Sequence, residues 1–223
     1  MPGVQKRGEK EVKYIIMAGG SYPGWKTPKQ LININGEPLI RRTIRQLQEN
    51  GITDMAISSN DPAFDEIGVP VLHHKNGFIG RGYDDYEGYW CEAFYPTTEP
   101  ACYLFGDVVY SPEAIKKIIE TKTDFIEFFA SAPPFSNRFR KKSAEPFAVK
   151  VVNQYYFRLC IEECKNAANL GYFKRKPIMW ELWQIIKRTP LNIIDYSNYT
   201  VINDYTCDID GKADIAYFQG VRE

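Results

Sequence analysis

Short apolar runs alternate with amphipathic stretches along most of the chain. Residues 12–17 (VKYIIM) are apolar with little polar alternation, as a strand buried on both faces of a parallel sheet requires. Comparable strand-like runs occupy 54–59 (DMAISS), 69–73, 101–105 (ACYLF), 124–131 (DFIEFFAS) and 145–150, with a shorter piece at 32–35. Between them the period lengthens to that of a helix. Over 38–50 the apolar residues Leu39, Ile40, Ile44 and Leu47 fall on one face, with Pro38 at the start and Gly51 at the end. Ser111-Pro112-Glu113 opens a second predicted helix over 114–121, and 153–169 and 177–188 give two more. Cys160 and Cys164 share a face of the third, and Trp180 and Trp183 share a face of the fourth; both pairs are expected in the core. Strands alternating with helices, without internal repeats, predict an α/β fold.

Composition narrows this picture. With 223 residues, 44% hydrophobic and 14% aromatic, the chain can bury one full core, so one domain is expected over 1–223. Residues 1–11 are charged and read as a flexible lead, not a secretory signal. The 28 basic residues balance the 28 acidic ones, which argues against nucleic acid or an anionic membrane as partner. No apolar run approaches the roughly 18 residues that a membrane span needs. Five scattered cysteines, an odd number without C-x-x-C pairs, fit neither a disulfide framework nor a zinc site and suit a reducing cytoplasm. His73 and His74 are adjacent on a predicted strand and so point to opposite faces, a poor arrangement for chelating one ion. No serine-histidine-acid or cysteine-histidine constellation is evident.

The chemistry concentrates after the first strand. Ala18-Gly19-Gly20 breaks it into a loop with Ser21, Pro23, Gly24, Lys26, Pro28 and Lys29. Paired glycines let backbone N–H groups approach a ligand that a β-carbon would hold off, and the two lysines add mobile positive charge. That suits a polyphosphate, although a bare turn has the same glycines. The loop is neither a P-loop, lacking Gly-Lys-Ser/Thr, nor a G-x-G-x-x-G fingerprint. Asp107 ends the 101–105 run, where open α/β sheets bind ligands. Asp208 and Asp210 alternate on an extended segment, so both carboxylates are expected on one side, able to converge on a hard cation; a polar turn before a helix is the alternative. Residues 77–95 are rich in glycine and tyrosine and carry Arg81 ahead of a predicted helix, while 136–142 (SNRFRKK) form a basic patch that a solvated face would also explain.

The run from Ala18-Gly19-Gly20 through Pro28-Lys29-Gln30-Leu31 and Gly36-x-Pro38-Leu39-Ile40 to Gly51-Ile52 resembles the nucleotidyltransferase superfamily with the GT-A-like fold. That superfamily includes the sugar-1-phosphate nucleotidyltransferases and the small cytidylyltransferases. The closing stretch Asp208-Ile209-Asp210, followed by Asp214-Ile215, is similar to the Asp-Ile-Asp-x-x-x-Asp-Leu signature of its small members. The resemblance implies a single-domain α/β/α sandwich around a mixed, mostly parallel, Rossmann-like sheet. It implies nucleotide contacts from Ala18, Gly19, Gly20, Ser21, Lys29 and Arg81, with Lys26 or Lys29 as the catalytic cation. It further implies Mg²⁺ on Asp107, Asp208 and Asp210, and a phosphorylated acceptor near Arg138, Arg140 and Lys150. The loop is shorter than the family's, and the family's loop arginine is absent, leaving Lys26 as the nearest cation; a lysine does not grip phosphate bidentately.

The expected reaction is therefore transfer of the NMP part of an NTP to a small phosphorylated acceptor, with pyrophosphate leaving. The compact size and the Pro-Lys-Gln step resemble the cytidylyltransferases, making CTP the first choice, and family habit suggests a surface-glycan or capsule precursor as product. A GT-A glycosyltransferase is the second reading, but Gly106-Asp107-Val108 has one carboxylate where D-x-D is usual. A non-catalytic nucleotide-binding relative is the third. The sequence leaves a homodimer open.

Overall fold

The computed structural model describes residues 11–19, 25–73, 90–133, 144–173 and 177–219. In chain order the elements are β1 (Lys13–Met17), β2 (Asn33–Ile34), β3 (Glu37–Pro38), α1 (Leu39–Glu49), β4 (Met55–Ser58), β5 (Val71–Leu72), β6 (Ala101–Phe105), β7 (Val108–Val109), α2 (Pro112–Glu120), β8 (Ile126–Ala130), β9 (Pro146–Val151), α3 (Gln154–Asn169), α4 (Met179–Lys187), β10 (Thr200–Val201), β11 (Cys207–Asp208) and α5 (Lys212–Phe218). Among the described residues, seven strands form one sheet in the order β10-β8-β9-β6-β1-β4-β5. β9 alone runs against its neighbours; the other pairings in the sheet are parallel. β1 and β6 lie at its centre and are buried almost throughout, which is why both read as unbroken apolar runs.

The two faces of the sheet carry different helices. Tyr103 of β6 packs against Phe94 and against Phe157 of α3, with ring centroids 5.1 and 6.1 Å away. Phe128 of β8 meets Trp180 of α4 edge-on at 5.0 Å. On the opposite face Lys150 of β9 reaches the end of α2, and α1 packs beside α2. The result is the α/β/α layering expected from the sequence. Each fully buried Phe, Leu or Ile contributes about 1.5–3 kcal/mol, whereas exposed ion pairs such as Lys116–Glu120 give about 0–1 kcal/mol, so the layers are held by the core. Trp180, Trp183, Cys160 and Cys164 are buried, as predicted, and all five cysteines are free thiols.

Some local expectations change. The 32–35 piece is half of a hairpin: Asn35 and Gly36, with φ of 53° and 89°, make the two-residue turn between β2 and β3. Where a helix was expected near the end of 77–95, the described part is a 3₁₀ turn at Trp90–Ala93. His73 is exposed, 3.4 Å from Asp65 Oδ1. Among the described residues no helix is long and apolar enough to cross a membrane.

Candidate active site

The parallel pairing of β1 with β6 aligns Met17 with Phe105, so the chain leaves both strands at the same edge of the sheet. Ala18-Gly19 thereby lies beside Gly106-Asp107. Gly106 N–H donates to the Met17 carbonyl at 2.9 Å, which ties the Asp107 turn to the end of β1. Ala18 N–H donates to the Ser58 carbonyl at 2.9 Å and Ser59 Oγ to the Ala18 carbonyl at 2.9 Å, which tie β1 to the end of β4. A β-carbon at residue 106 would stand 2.3 Å from the Met17 oxygen, so only glycine allows this approach.

Lys29 opens a 3₁₀ turn, Lys29–Leu31, closed by the Leu31 N–H on the Pro28 carbonyl at 3.0 Å. The turn buries Lys29 to 2% exposure. Its ammonium lies 3.6 Å from Asp107 Oδ2 and 3.8 Å from Asp210 Oδ1, whose side chains are 19% and 60% exposed. A buried ammonium requires paired charge, and these two carboxylates supply it. Gln30 is also buried; its Cγ packs at the Gly106 position, and its Oε1 finds no hydrogen-bond partner among the described residues.

Asp210 reaches this point from the far end of the chain. β11 pairs antiparallel with β7, setting Asp208 opposite Val108, and Ile209 N–H donates to the Asp107 carbonyl at 2.8 Å. Ser111, the N-cap of α2, donates its hydroxyl to Asp204 Oδ2 at 2.6 Å and its N–H to Thr206 Oγ1 at 3.0 Å. Asp204 Oδ1 in turn accepts from Thr206 N–H at 2.7 Å. Past the site, the buried Asp214 carboxylate accepts from the N–H groups of Asp210 and Gly211 at 2.8 and 2.7 Å. These clasps hold Asp210 from both sides along the chain. Sequence reasoning assigned no role to Asp204 or Thr206 and quoted Asp214 only within a motif; the signal for Asp214 was a carboxylate three residues after Gly211, at a helix start.

The predicted site residues divide. Lys29, Asp107 and Asp210 come together, beside Ala18 and Gly19. Lys26 is exposed, next to the loop. Gly20, Ser21, Arg81, Arg138 and Arg140, like His74, lie outside the described residues. The expected group of three carboxylates is not formed: among the described residues no three His, Cys, Asp or Glu side chains stand together as a potential metal site. β11 ends at Asp208, and strict two-residue alternation is a property of a continuing strand. Asp208 Oδ1 accepts from the Cys207 thiol at 3.6 Å. Lys150 is also corrected. It is 4% exposed, and its ammonium donates to the carbonyls of Ile118, Ile119 and Thr121 at 2.6–3.1 Å, closing the C-terminus of α2 and leaving no face for an acceptor.

The remaining Asp107–Asp210 pair still fits a magnesium ion, which typically takes one or two carboxylates and completes its octahedron with water and substrate phosphates.

The comparisons with known proteins agree with this fold. No curated protein sequence matches at a significant level. Among solved structures, a putative glucose-1-phosphate thymidylyltransferase from Bacillus anthracis aligns at TM-score 0.55 and 16% identity, over 96% of this chain and 97% of its own. The inositol-1-phosphate CTP transferase of T. maritima aligns at TM-score 0.56 and 12% identity, covering 95% and 98%. A CTP:phosphocholine cytidylyltransferase from Streptococcus pneumoniae gives 0.52 and 18%, covering 93% and 97%. At such identities the likeness speaks for the fold. Residues 14–126, about half the chain and containing the glycine turn, Lys29 and Asp107, match the MobA-like NTP transferase domain, and the chain belongs to that nucleotidyltransferase family.

Proposed function

We propose that the chain is a Mg²⁺-dependent nucleotidyltransferase that joins the NMP part of an NTP, CTP before the others, to a small phosphorylated acceptor. The single observation that carries the reading is the buried Lys29 ammonium between Asp107 and Asp210, beside the glycine turn after β1. That arrangement sets a buried cation and two carboxylates beside the glycine turn at one sheet edge, which suits a triphosphate.

In this reading an acceptor phosphate oxygen attacks the α-phosphorus in line, the bond to the pyrophosphate oxygen breaks, and pyrophosphate leaves. No protein nucleophile is required; the chain contributes position and charge. Backbone N–H groups of the Gly19-Gly20 loop cradle the phosphates, whereas the Ala18 N–H is already bound to the Ser58 carbonyl. Lys29 offsets charge on the α-phosphate and the departing pyrophosphate, with Lys26 as the exposed second cation. Asp107 and Asp210 hold the magnesium, which when bound neutralises phosphate charge shared by donor and acceptor. CTP is favoured by the Pro28-Lys29-Gln30 step and by two structural neighbours named as CTP-using enzymes. A surface-glycan or capsule precursor is the proposed destination of the product.

A pyrophosphate-release screen tests this, with the four NTPs against phosphorylated acceptors beginning with glucose 1-phosphate, inositol 1-phosphate and phosphocholine. Release is expected with CTP and at least one acceptor, and Asp107→Asn should lower it about 10²-fold or more, the scale of losing an electrostatic stabiliser. Absence of pyrophosphate with every NTP would end the proposal, and nucleoside diphosphate release from a nucleotide-sugar would favour the glycosyltransferase.

A further inference from the structure

The tip of β6 that carries Asp107 is braced by a residue outside the candidate site. Tyr110 is fully buried. Its hydroxyl lies 2.6 Å from the Phe147 carbonyl of β9 and 3.1 Å from the Phe105 carbonyl of β6. Those strands run antiparallel, in a register that extends from Ala101–Val151 to Leu104–Ala148. Phe105 and Phe147 are the next pair, and there both carbonyls meet one hydroxyl between the strand ends. With a single proton, the hydroxyl donates mainly to Phe147 and shares the longer contact with Phe105. The main chain of Tyr110 is fixed independently. Its carbonyl accepts from Arg42 Nη2 at 3.3 Å and from Gln46 Nε2 at 3.2 Å, both on α1. Tyr110 therefore spans from α1 to the last residue of β6, and Gly106-Asp107 follow directly. The glycine turn is anchored elsewhere, through the bonds of Ala18 to Ser58 and Ser59 beside β4.

We propose that Tyr110 is a positioning residue for nucleotidyl transfer: by bracing the ends of β6 and β9 it fixes the Asp107 carboxylate at the reacting edge of the sheet. The inference rests on the nucleotidyltransferase reading above and adds to it a residue that touches neither substrate nor metal. Loss of the brace lets the β6 tip shift while the glycine turn keeps its own bonds. Turnover and metal dependence then change, and the nucleotide is still held by the glycine turn and Lys29.

The test compares Tyr110→Phe, which removes the hydroxyl and keeps the ring, with Tyr103→Phe. The second variant is the control for a merely structural role. It deletes a hydroxyl from the same strand, bonded to the Tyr95 carbonyl at 2.7 Å, on the face of the sheet that α3 covers. Both variants are expected to melt below wild type. Tyr110→Phe alone should lower pyrophosphate release at saturating substrates and raise the half-saturating magnesium concentration, each about tenfold or more, the usual scale for a residue that supports a ligand. The nucleotide KM should stay within about twofold of wild type in both, since ground-state binding is untouched. Gln46→Met, which frees the Tyr110 carbonyl on one side, should move the same two quantities by less. Equal turnover and magnesium dependence in the Tyr110 and Tyr103 variants overturn the positioning role. Where Tyr110→Phe does not fold, Gln46→Met decides: a raised magnesium requirement upholds the role, and wild-type values overturn it. The nucleotidyltransferase reading survives either result wherever wild type releases pyrophosphate, and a wild type that releases none with any NTP overturns both.

Discussion

Gly106 is the residue on which the site's geometry turns, because its α-carbon lies against the end of β1. A methyl group there would stand 2.3 Å from the Met17 carbonyl oxygen and 3.1 Å from Gln30 Cγ. The first contact is with backbone, which cannot rotate away, so the whole Asp107 turn must move. Gly106→Ala is therefore expected to cost roughly 1–3 kcal/mol, as overpacking of a tight interior does, measured as a lower urea midpoint. Its effect on turnover should be larger than on stability. A shift of about 1 Å in Asp107 separates it from Lys29, and a misplacement on that scale can cost about 10²-fold in rate. Near-normal pyrophosphate release from a folded Gly106→Ala protein would show that the turn tolerates displacement. Lys150 teaches the opposite lesson at the same scale. A lysine beside a basic patch invites a substrate role, but which way a strand residue faces is decided by tertiary packing, and here it faces the carbonyls ending α2.

Among the elements, the short ones carry the site. β7 and β11 are two residues each, yet with the Ser111–Asp204–Thr206 bonds they bring a segment about a hundred residues away in sequence to the tip of β6. Asp214 at the start of α5 then fixes the Asp210 and Gly211 amides. Asp214→Ala should free that corner, costing about 0.5–2 kcal/mol as loss of a helix cap. It should also raise the magnesium concentration needed for half-maximal turnover by about 10–100-fold, the usual effect of removing support behind a ligand. Asp214→Asn, which keeps one acceptor, should recover part of both; a variant with an unchanged magnesium titration would reduce Asp214 to a helix cap. Long elements were legible in advance: residues 101–105 were read with their observed bounds, and the central helices to within a residue or two, because burial on both sheet faces and the helical period leave direct marks on sequence. The two-residue strands leave none. Asp208 and Asp210 were for that reason read as one continuous strand with both carboxylates on the same side.

At the scale of the whole molecule, the α/β layering followed from alternation, but the reversed direction of β9 did not, since apolar periodicity is the same for either strand direction. That reversal sets Lys150 of β9 opposite Cys102 of β6 in the middle of the sheet. Burial pushes the Cys102 thiol up to about 12 from an ordinary value of 9.0, with the nearby Lys150 charge opposing the shift. Burial likewise raises the Tyr110 phenol well above its ordinary range, with Cys102 and Asp107 adding to the rise. A group whose pKa is higher in the folded state stabilises the fold fully below its unfolded pKa, and that contribution disappears as pH rises through the folded value. For Cys102 the loss begins near pH 9 and continues to about 12, because over that window the unfolded chain gives up a proton that the folded chain keeps. The protein is thus expected to lose stability progressively in alkali above about pH 9. Urea melts at pH 8 through 11 should show wild-type stability falling steeply above about pH 9. Cys102→Ala removes the titrating thiol at the expense of a small cavity, so it should start less stable at pH 8 and decline more gently. Parallel declines in the two proteins would mean that the thiol ionises in the folded sheet as readily as in the open chain. The centre of the sheet, directly behind the Asp107 turn, would then be wetter than its complete burial implies.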